Sequence, residues 1–272
     1  MITRVIPSSG EMLPVIGLGT WQTFDVASNS YSVLKDVLTK MHTAGATLID
    51  SSPMYGRSEQ VVGDITASMP AANDFFYATK VWTTGLQHGI HQMEASMQKM
   101  QRKTMDLMQI HNLTDWKTHL ATLRQWKERG IIRYIGITHY TDASHEELEK
   151  IISTEKLDFV QFNYSIAARN AEKRLLDAAA AHGVATLINR PFGEGKLFNA
   201  VMGKPLPGWV HEIDVDSWAA FFLKYIIAHP AVTCVIPATG NPLHIADNLK
   251  AGEKNLPGAM ARQKMVEYLK GL

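Results

Sequence analysis

Four ionisable side chains stand at regular intervals in the first half of the chain. Asp50 follows the apolar run 47–49, and Tyr55 lies five positions later. Lys80 ends a second strand-like run, and His111 ends a third. A phenol is a poor acid at neutral pH unless a nearby cation lowers its pKa, and a lysine held by a carboxylate supplies that cation. If these side chains meet, they could donate a proton to an oxygen atom that gains negative charge.

The spacing of these residues indicates how they could meet. Lys80 lies 30 positions after Asp50, and His111 lies 31 positions after Lys80. A parallel strand, its crossover helix and the next strand together take about 30 residues or more. We therefore expect the three residues at the carboxyl ends of adjacent parallel strands, with Tyr55 in the loop beyond the first of them.

Strand-like and helical runs alternate along the rest of the chain. Strict alternation favours a parallel sheet with helices around it, and eight strands favour closure into a barrel. An earlier hairpin, with its turn at residues 7–10, is expected to run into the first barrel strand. The predicted strands are Met12 to Ile16, Leu48-Ile49, Phe76 to Thr79, Leu107 to Ile110, Tyr134 to Ile137, Phe159 to Phe162, Ala185 to Ile188 and Val232 to Ile236.

Local signals predict the starts of two helices and one long loop. Ser144, followed by Glu147, matches a capping box, and Asp216 precedes an apolar helical run that it could cap. The segment 192–213 is long, polar and rich in Pro and Gly, which is typical of a loop that covers a binding site.

Length and composition predict one domain over residues 1–272. A single α/β barrel takes about 250 residues, and 46% of this chain is hydrophobic, enough for a full core. The formal net charge is only +1, so we expect neither nucleic acid nor a membrane as partner. We expect a monomer or a weak oligomer. The single Cys234 permits no disulfide within the chain, and we find no signal peptide, so we expect a cytoplasmic protein.

Taken together, these motifs resemble the aldo-keto reductases over nearly the whole chain. The resemblance rests on the runs 16–21, 50–59, 75–80, 105–111 and 136–140. It implies a (β/α)8 TIM barrel that binds a nicotinamide cofactor and reduces aldehydes or ketones to alcohols. By this resemblance the catalytic tetrad would be Asp50, Tyr55, Lys80 and His111.

Carbonyl reduction would give each of these four residues a role. Hydride addition leaves a developing alkoxide, which Tyr55 would protonate while Lys80 stabilises the resulting phenolate. Asp50 would hold Lys80 in place and keep it charged. A neutral His111 would hydrogen-bond the carbonyl oxygen and orient it.

The resemblance also implies where the cofactor binds. Thr138 and Gln161 match positions that hold the nicotinamide amide, whereas His139 replaces an asparagine. The run 189–192 lacks the aromatic residue that stacks on nicotinamide in many relatives, and we expect Arg190 to meet a cofactor phosphate instead. The predicted cofactor-binding set is Gly19, Thr20, Trp21, Asp50, Thr138, His139, Gln161, Asn189, Arg190, Pro191, Phe192, Gly193, Glu194, Lys196, Thr239, Gly240, Asn241, His244, Asp247 and Asn248.

Cofactor preference is expected to be NADPH, with NADH possible. Relatives that prefer NADPH commonly have Lys, Ser and Arg where this chain has Ala238, Thr239 and His244. The fixed positive charge is gone, but no acidic residue takes its place to repel a phosphate. We therefore predict an NADPH preference with a smaller margin than in those relatives.

The substrate pocket is predicted to be open and apolar. Trp21, Trp82 and Trp116 are the aromatic loop residues that we expect to line it. After Gly252 only one short helical pattern follows, so we expect no long loop to narrow the pocket. These features favour aromatic aldehydes as substrates.

Two other classes of protein remain open at this point. One is a cofactor-sensing regulatory protein of the same fold, although all four catalytic residue types are retained. The other is a metal-dependent barrel hydrolase that would use Asp50, His111 and His139, although the first strand has no His-x-His pair.

Overall fold

A short antiparallel hairpin begins the chain in the computed structural model, which describes residues 1–272. It consists of β1 (Thr3–Val5) and β2 (Met12–Pro14). The predicted strand Met12 to Ile16 is therefore divided. Its first part completes the hairpin, whereas Ile16 makes only an isolated bridge with Val235. The first barrel strand starts later, at Leu18, because hairpin and barrel are separate sheets.

Eight parallel strands form the barrel, in sequential order around it. Isolated parallel bridges between Ile16 and Val235 and between Gly19 and Ala238 join the last strand to the first. The predicted (β/α)8 barrel and its N-terminal hairpin are thus confirmed. The strands are β3 (Leu18–Gly19), β4 (Leu48–Asp50), β5 (Phe76–Val81), β6 (Met105–Ile110), β7 (Ile132–Thr138), β8 (Phe159–Asn163), β9 (Ala185–Asn189) and β10 (Cys234–Val235).

Ten α-helices accompany the strands, and none combines the length and hydropathy that crossing a membrane requires. They are α1 (Tyr31–Thr43), α2 (Ser58–Ala67), α3 (Leu86–Lys99), α4 (Trp116–Glu128), α5 (His145–Thr154), α6 (Leu175–Ala181), α7 (Lys196–Ala200), α8 (Trp218–Ile227), α9 (Pro242–Lys250) and α10 (Ala259–Lys270).

The core has two parts because both faces of the parallel sheet are covered. A cluster of 60 buried side chains fills the layer between strands and helices, and a second cluster of 12 includes the side chains that point into the barrel. Ile6 and Leu13 of the hairpin belong to this second cluster, so the hairpin closes one end of the barrel. Cys234 also belongs to it, and burial raises the pKa of its thiol.

Of the two predicted helix caps, Ser144 has the predicted position without the predicted hydrogen bond, and Asp216 is wrong. Ser144 precedes α5 but makes no capping hydrogen bond, and its hydroxyl lies 3.2 Å from Thr141 Oγ1 instead. Ser217, not Asp216, caps α8, where its Oγ accepts a hydrogen bond from Ala220 N at 3.0 Å. A serine hydroxyl competes for several nearby partners, so sequence spacing alone does not select the one it takes.

Candidate active site

The carboxyl ends of β4, β5 and β6 bring three of the four ionisable residues together. Asp50 is the last residue of β4, Lys80 lies one residue before the end of β5, and His111 follows β6 directly. Asp50 pairs with Ala78 in the sheet, and Lys80 pairs with Gln109. Neighbouring parallel strands in this register place these side chains at one mouth of the barrel.

Lys80 and Asp50 form a fully buried ion pair. The Lys80 ammonium donates to Asp50 Oδ2 at 2.6 Å and to the Ser51 carbonyl at 2.7 Å. Asp50 Oδ1 accepts hydrogen bonds from the amides of Gln109 and Gln161, both at 3.0 Å. Burial acts to lower the pKa of Lys80, but the charges and hydrogen bonds of Asp50 and, after it, Tyr55 outweigh burial, so the pKa is raised. The lysine therefore stays cationic.

Tyr55 lies over this ion pair, in the loop that leads from β4 to α2. Lys80 Nζ is 5.1 Å from the centre of the Tyr55 ring. Burial raises the pKa of the Tyr55 hydroxyl, and the charge of Lys80 opposes the rise. Gly56 follows with a φ of 60°, and a Cβ there would lie 2.3 Å from the Asp25 carboxylate, so only glycine fits this turn.

His111 faces Tyr55 across the mouth of the barrel. The two rings are 5.7 Å apart and nearly perpendicular. His111 Nδ1 is 2.9 Å from Ser52 Oγ, and this is its only side-chain hydrogen bond, which leaves Nε2 for a ligand. Burial, together with the charge of Lys80, lowers the pKa of His111 to about 2. The imidazole is therefore neutral at physiological pH.

A cleft of about 590 Å³ opens above these side chains. Asp50, Tyr55 and His111 line it, whereas Lys80 lies fully buried beneath. Eleven members of the predicted cofactor-binding set line the cleft, and they are Gly19, Thr20, Trp21, Asp50, Thr138, Gln161, Asn189, Arg190, Pro191, Phe192 and Glu194. The members outside its lining are His139, Gly193, Lys196, Thr239, Gly240, Asn241, His244, Asp247 and Asn248.

Two of the three predicted substrate-pocket tryptophans line the cleft. Trp21 and Trp82 do so, and both are partly exposed. Trp116 does not. It begins α4 and packs against the hydrophobic core, with Lys117 Nζ 5.6 Å from its ring centre.

Sequence reasoning missed nine residues of the cleft. Most are immediate neighbours of predicted residues, and Gly195 and Phe198 lie in the segment 192–213 that was predicted to cover a binding site. They are Gln22, Thr23, Met54, Asn112, Tyr140, Gly195, Phe198, Ile236 and Ala238. The loop after His111 also differs from a simple strand end, because Asn112 and Leu113 both have positive φ angles.

The loop after β9 forms one wall of the cleft. The Arg190 guanidinium lies 4.2 Å from the centre of the Tyr140 ring and bonds Glu194 at 2.8 Å. The Phe192 and Phe198 rings are 4.7 Å apart. The segment 192–213 was predicted as a loop, but it contains α7 and a 3-10 helix over Gly208–Ile213. Arg190 thus has two protein partners on the cleft wall.

The N-terminus of α9 lies beyond the cleft wall. Asn241 caps this helix, with its Oδ1 accepting from Leu243 N at 2.8 Å, and Thr239 Oγ1 accepts from Asn241 N at 3.1 Å. His244 is exposed in the first turn, whereas Asn248 is buried in the last. Hydroxyl, amide and imidazole groups are therefore grouped at a helix N-terminus, a place that favours anions.

The metal-dependent alternative has no support in this geometry. No group of three or more His, Cys, Asp or Glu side chains is arranged to hold a metal ion. Both oxygens of Asp50 already bind Lys80 and two glutamine amides. His139 directs its Nδ1 towards the backbone N–H groups of Tyr140 and Thr141.

Comparison with known families decides how the site is classified. The model of the Aldo/keto reductase family matches residues 15–263. The chain belongs to this family. It is therefore an oxidoreductase, and the predicted NAD(P)H-dependent enzyme class is confirmed.

Relatives of this aldo/keto reductase are found among curated sequences and solved structures. The methylglyoxal reductase YeaE of Escherichia coli K12 is 26% identical over 267 residues, covering 95% of this chain and 93% of that protein. The NADH-specific methylglyoxal reductase of the same organism is 26% identical over 226 residues, covering 71% and 68%. An aldo-keto reductase from Klebsiella pneumoniae in complex with NADPH has the same fold, with a TM-score of 0.80 at 21% identity, covering 99% and 95%.

Proposed function

We propose that this aldo/keto reductase reduces aldehydes or ketones to alcohols with NADPH, and with NADH less effectively. The observation that carries the proposal is the geometry of one proton donor. Tyr55 faces the cleft directly above the buried Lys80–Asp50 ion pair, opposite a neutral histidine. This arrangement matches the requirements of protonating an alkoxide as it forms.

The four side chains divide the proton chemistry among them. Tyr55 gives its proton to the carbonyl oxygen, and the ammonium of Lys80 stabilises the phenolate that remains. Asp50 prevents Lys80 from losing its charge in a fully buried position. His111 is held in place by its hydrogen bond with Ser52. Its neutral imidazole adds no charge to the site and orients the carbonyl oxygen by a hydrogen bond.

The residues around the cleft fit a nicotinamide cofactor. Thr138, Gln161 and Asn189 place hydroxyl and amide groups beside Asp50, at the position where a carboxamide would be recognised. Thr239 and Asn241 provide polar groups at the N-terminus of α9, where a phosphate would be stabilised. The reduced nicotinamide supplies the hydride. Proteins similar to this one include an NADPH complex and an NADH-specific reductase.

His244 would give the cofactor site its preference for a phosphate. It is exposed in the first turn of α9, where a ring N–H can donate a hydrogen bond to the 2′-phosphate of NADPH in place of the arginine found in relatives. The remaining members of the predicted set would contact the cofactor where it extends past the edge of the cleft. They include Gly193, Lys196, Gly240 and Asp247.

The substrate class is proposed from the rim of the cleft. Five large apolar side chains on this rim are partly exposed, and they are Trp21, Met54, Trp82, Tyr140 and Phe198. Flat aromatic aldehydes would cover this apolar surface better than small or charged substrates.

The test combines a substrate screen with one substitution. Purified protein is assayed for NADPH and NADH oxidation with aromatic, aliphatic and sugar aldehydes. Tyr55→Phe removes the proton donor but little volume, so turnover should fall by about 100-fold or more while the dissociation constant of NADPH stays unchanged. Near-normal turnover by this variant would contradict the proposed role of Tyr55 as proton donor.

A further inference from the structure

Glu59 is a buried carboxyl group for which the proposed reaction has no use. It lies in the first turn of α2 and is 1% exposed. Its Oε1 accepts a hydrogen bond from Thr79 Oγ1 at 2.5 Å, whereas its Oε2 is buried without a partner. No basic side chain lies within ion-pair distance of it. A buried carboxyl group with only one hydrogen bond lowers the stability of the folded protein. An apolar side chain would fill the same space without this cost, so packing alone does not explain a glutamate here.

The surroundings of Glu59 favour its neutral form. Burial raises the pKa of its carboxyl group, and the hydrogen bond from Thr79, the nearby Ser96 and the more distant charges of Lys99 and Lys80 oppose the rise. Ser96 Oγ is itself buried and makes no hydrogen bond. A hydrogen bond between Ser96 and Glu59 Oε2 would satisfy both oxygens in either protonation state of the carboxyl group, because the serine hydroxyl can donate or accept.

The Glu59–Thr79 hydrogen bond connects the two segments that carry the proton donor and its lysine. Thr79 precedes Lys80 in β5 and projects from the opposite face of the strand. Glu59 follows Tyr55 by four residues, and the intervening turn is held by the bond from Ser58 N to the Tyr55 carbonyl at 3.1 Å. The Glu59–Thr79 hydrogen bond joins the first turn of α2 to β5 next to Lys80.

We propose that Glu59 is a positioning residue that, through Thr79, sets the separation between Tyr55 and Lys80. The inference rests on the proposed role of Tyr55 as proton donor. Lys80 is anchored on its other side by Asp50 and the Ser51 carbonyl, so it cannot follow Tyr55 if α2 moves. The short hydrogen bond between Glu59 and Thr79 therefore holds the Tyr55 hydroxyl at the distance at which the Lys80 ammonium can stabilise its phenolate.

Thr79→Val is the first test, because it removes the hydroxyl group and keeps the volume. We expect kcat to fall about tenfold or more, with the dissociation constant of NADPH, measured by quenching of tryptophan fluorescence, unchanged. Thr186→Val is the matched control. Thr186 is also a fully buried threonine of a barrel strand, but its hydroxyl donates to the Ala231 carbonyl and accepts from Thr233 N, away from the cleft. This control should lose comparable stability and keep its kcat.

Two substitutions of Glu59 separate hydrogen bonding from charge. Glu59→Gln keeps an acceptor for Thr79 and a donor for Ser96, so it should retain most of the activity. Glu59→Leu keeps the volume without any polar atom, and it should lower kcat as Thr79→Val does. Equal kcat in Glu59→Leu and wild type would overturn the proposal.

A double-mutant cycle distinguishes positioning from a general loss of structure. In a Tyr55→Phe background, Thr79→Val should have no further effect on the residual rate with an activated aldehyde such as 4-nitrobenzaldehyde, because the group that it positions is gone. An undiminished additional loss there would show that Thr79 does not act through Tyr55. If Tyr55→Phe itself retains full turnover, the proposed function fails instead, independently of Glu59.

Discussion

At the scale of single residues, protonation is controlled by burial and by one lysine. Lys80 keeps its charge because Asp50 and Tyr55 together outweigh the effect of burial on its pKa, whereas His111 stays neutral because burial and the same lysine lower its pKa to about 2. At one pH, the two neighbouring groups are thus held in the charge states that the proposed carbonyl reduction requires.

His111 is expected to make the protein sensitive to acid. An unfolded histidine binds a proton below pH ~6.5, whereas folded His111 does so only near pH 2. Between these values the unfolded state binds more protons, so the free energy of unfolding falls as pH falls, by about 1.4 kcal/mol per pH unit from this group.

Urea unfolding at pH 6, 5 and 4 measures this slope. His111→Gln should reduce the slope of unfolding free energy against pH by about 1.4 kcal/mol per pH unit, the contribution of one histidine. His182→Gln, which removes an exposed histidine at the end of α6, serves as the control and should leave the slope unchanged. Identical slopes in His111→Gln and wild type would mean that folded His111 takes up a proton normally.

At the scale of secondary-structure elements, the barrel strands carry the chemistry and the loops after them shape access to it. The Lys80–Asp50 pair joins β5 to β4, and the amides of Gln109 and Gln161 join β6 and β8 to the same carboxylate. One buried carboxylate thus contacts side chains from three other strands. Its removal should therefore affect the stability of the barrel as well as catalysis.

Asp50→Asn is expected to destabilise the protein by about 3–5 kcal/mol, because it leaves the Lys80 ammonium buried without a counter-ion. The comparison is Asp36→Asn, which breaks the exposed pair with Lys40 on α1 and should change the free energy of unfolding by no more than about 0.5 kcal/mol. Equilibrium unfolding in urea gives both values. A small loss in Asp50→Asn would indicate that Lys80 finds another partner or gives up its proton.

At the scale of the whole molecule, the closed barrel concentrates polar chemistry at one end and leaves an apolar rim around it. The hairpin closes the opposite end, so the proposed substrate would approach Tyr55 through the cleft, whose walls include the loops after β3, β5 and β9. Access to the reaction therefore depends on side chains that are distant from one another in the sequence.

The apolar rim predicts a ranking of substrates. Substituted benzaldehydes should have higher kcat/KM values than small aliphatic aldehydes, and phosphorylated sugars should have the lowest. Trp82→Ala should reduce the advantage of benzaldehydes by about tenfold through lost aromatic contact. Trp116→Ala is the matched control, since Trp116 lies outside the cleft, and it should leave the ranking unchanged. A preference for small or phosphorylated substrates in wild type would refute this interpretation.

From the amino-acid sequence by itself, the barrel and the convergence of Asp50, Lys80 and His111 could be predicted. The reason is periodicity: strands separated by about 30 residues with helices between them pair in parallel, and parallel pairing places residues at strand ends together. The family followed from a different signal, the resemblance of the motif residues at these strand ends to those of the aldo-keto reductases.

Only the tertiary structure decided which side chains surround the site and in what state. Trp116 was expected in the substrate pocket but packs against the core, whereas Tyr140 and Phe198 were missed and line the cleft. Loop directions and helix caps depend on competing contacts between distant segments, which sequence spacing does not reveal. The burial that keeps His111 neutral likewise exists only once the barrel has closed. The same is true of the hydrogen bond between Glu59 and Thr79, the residue before Lys80.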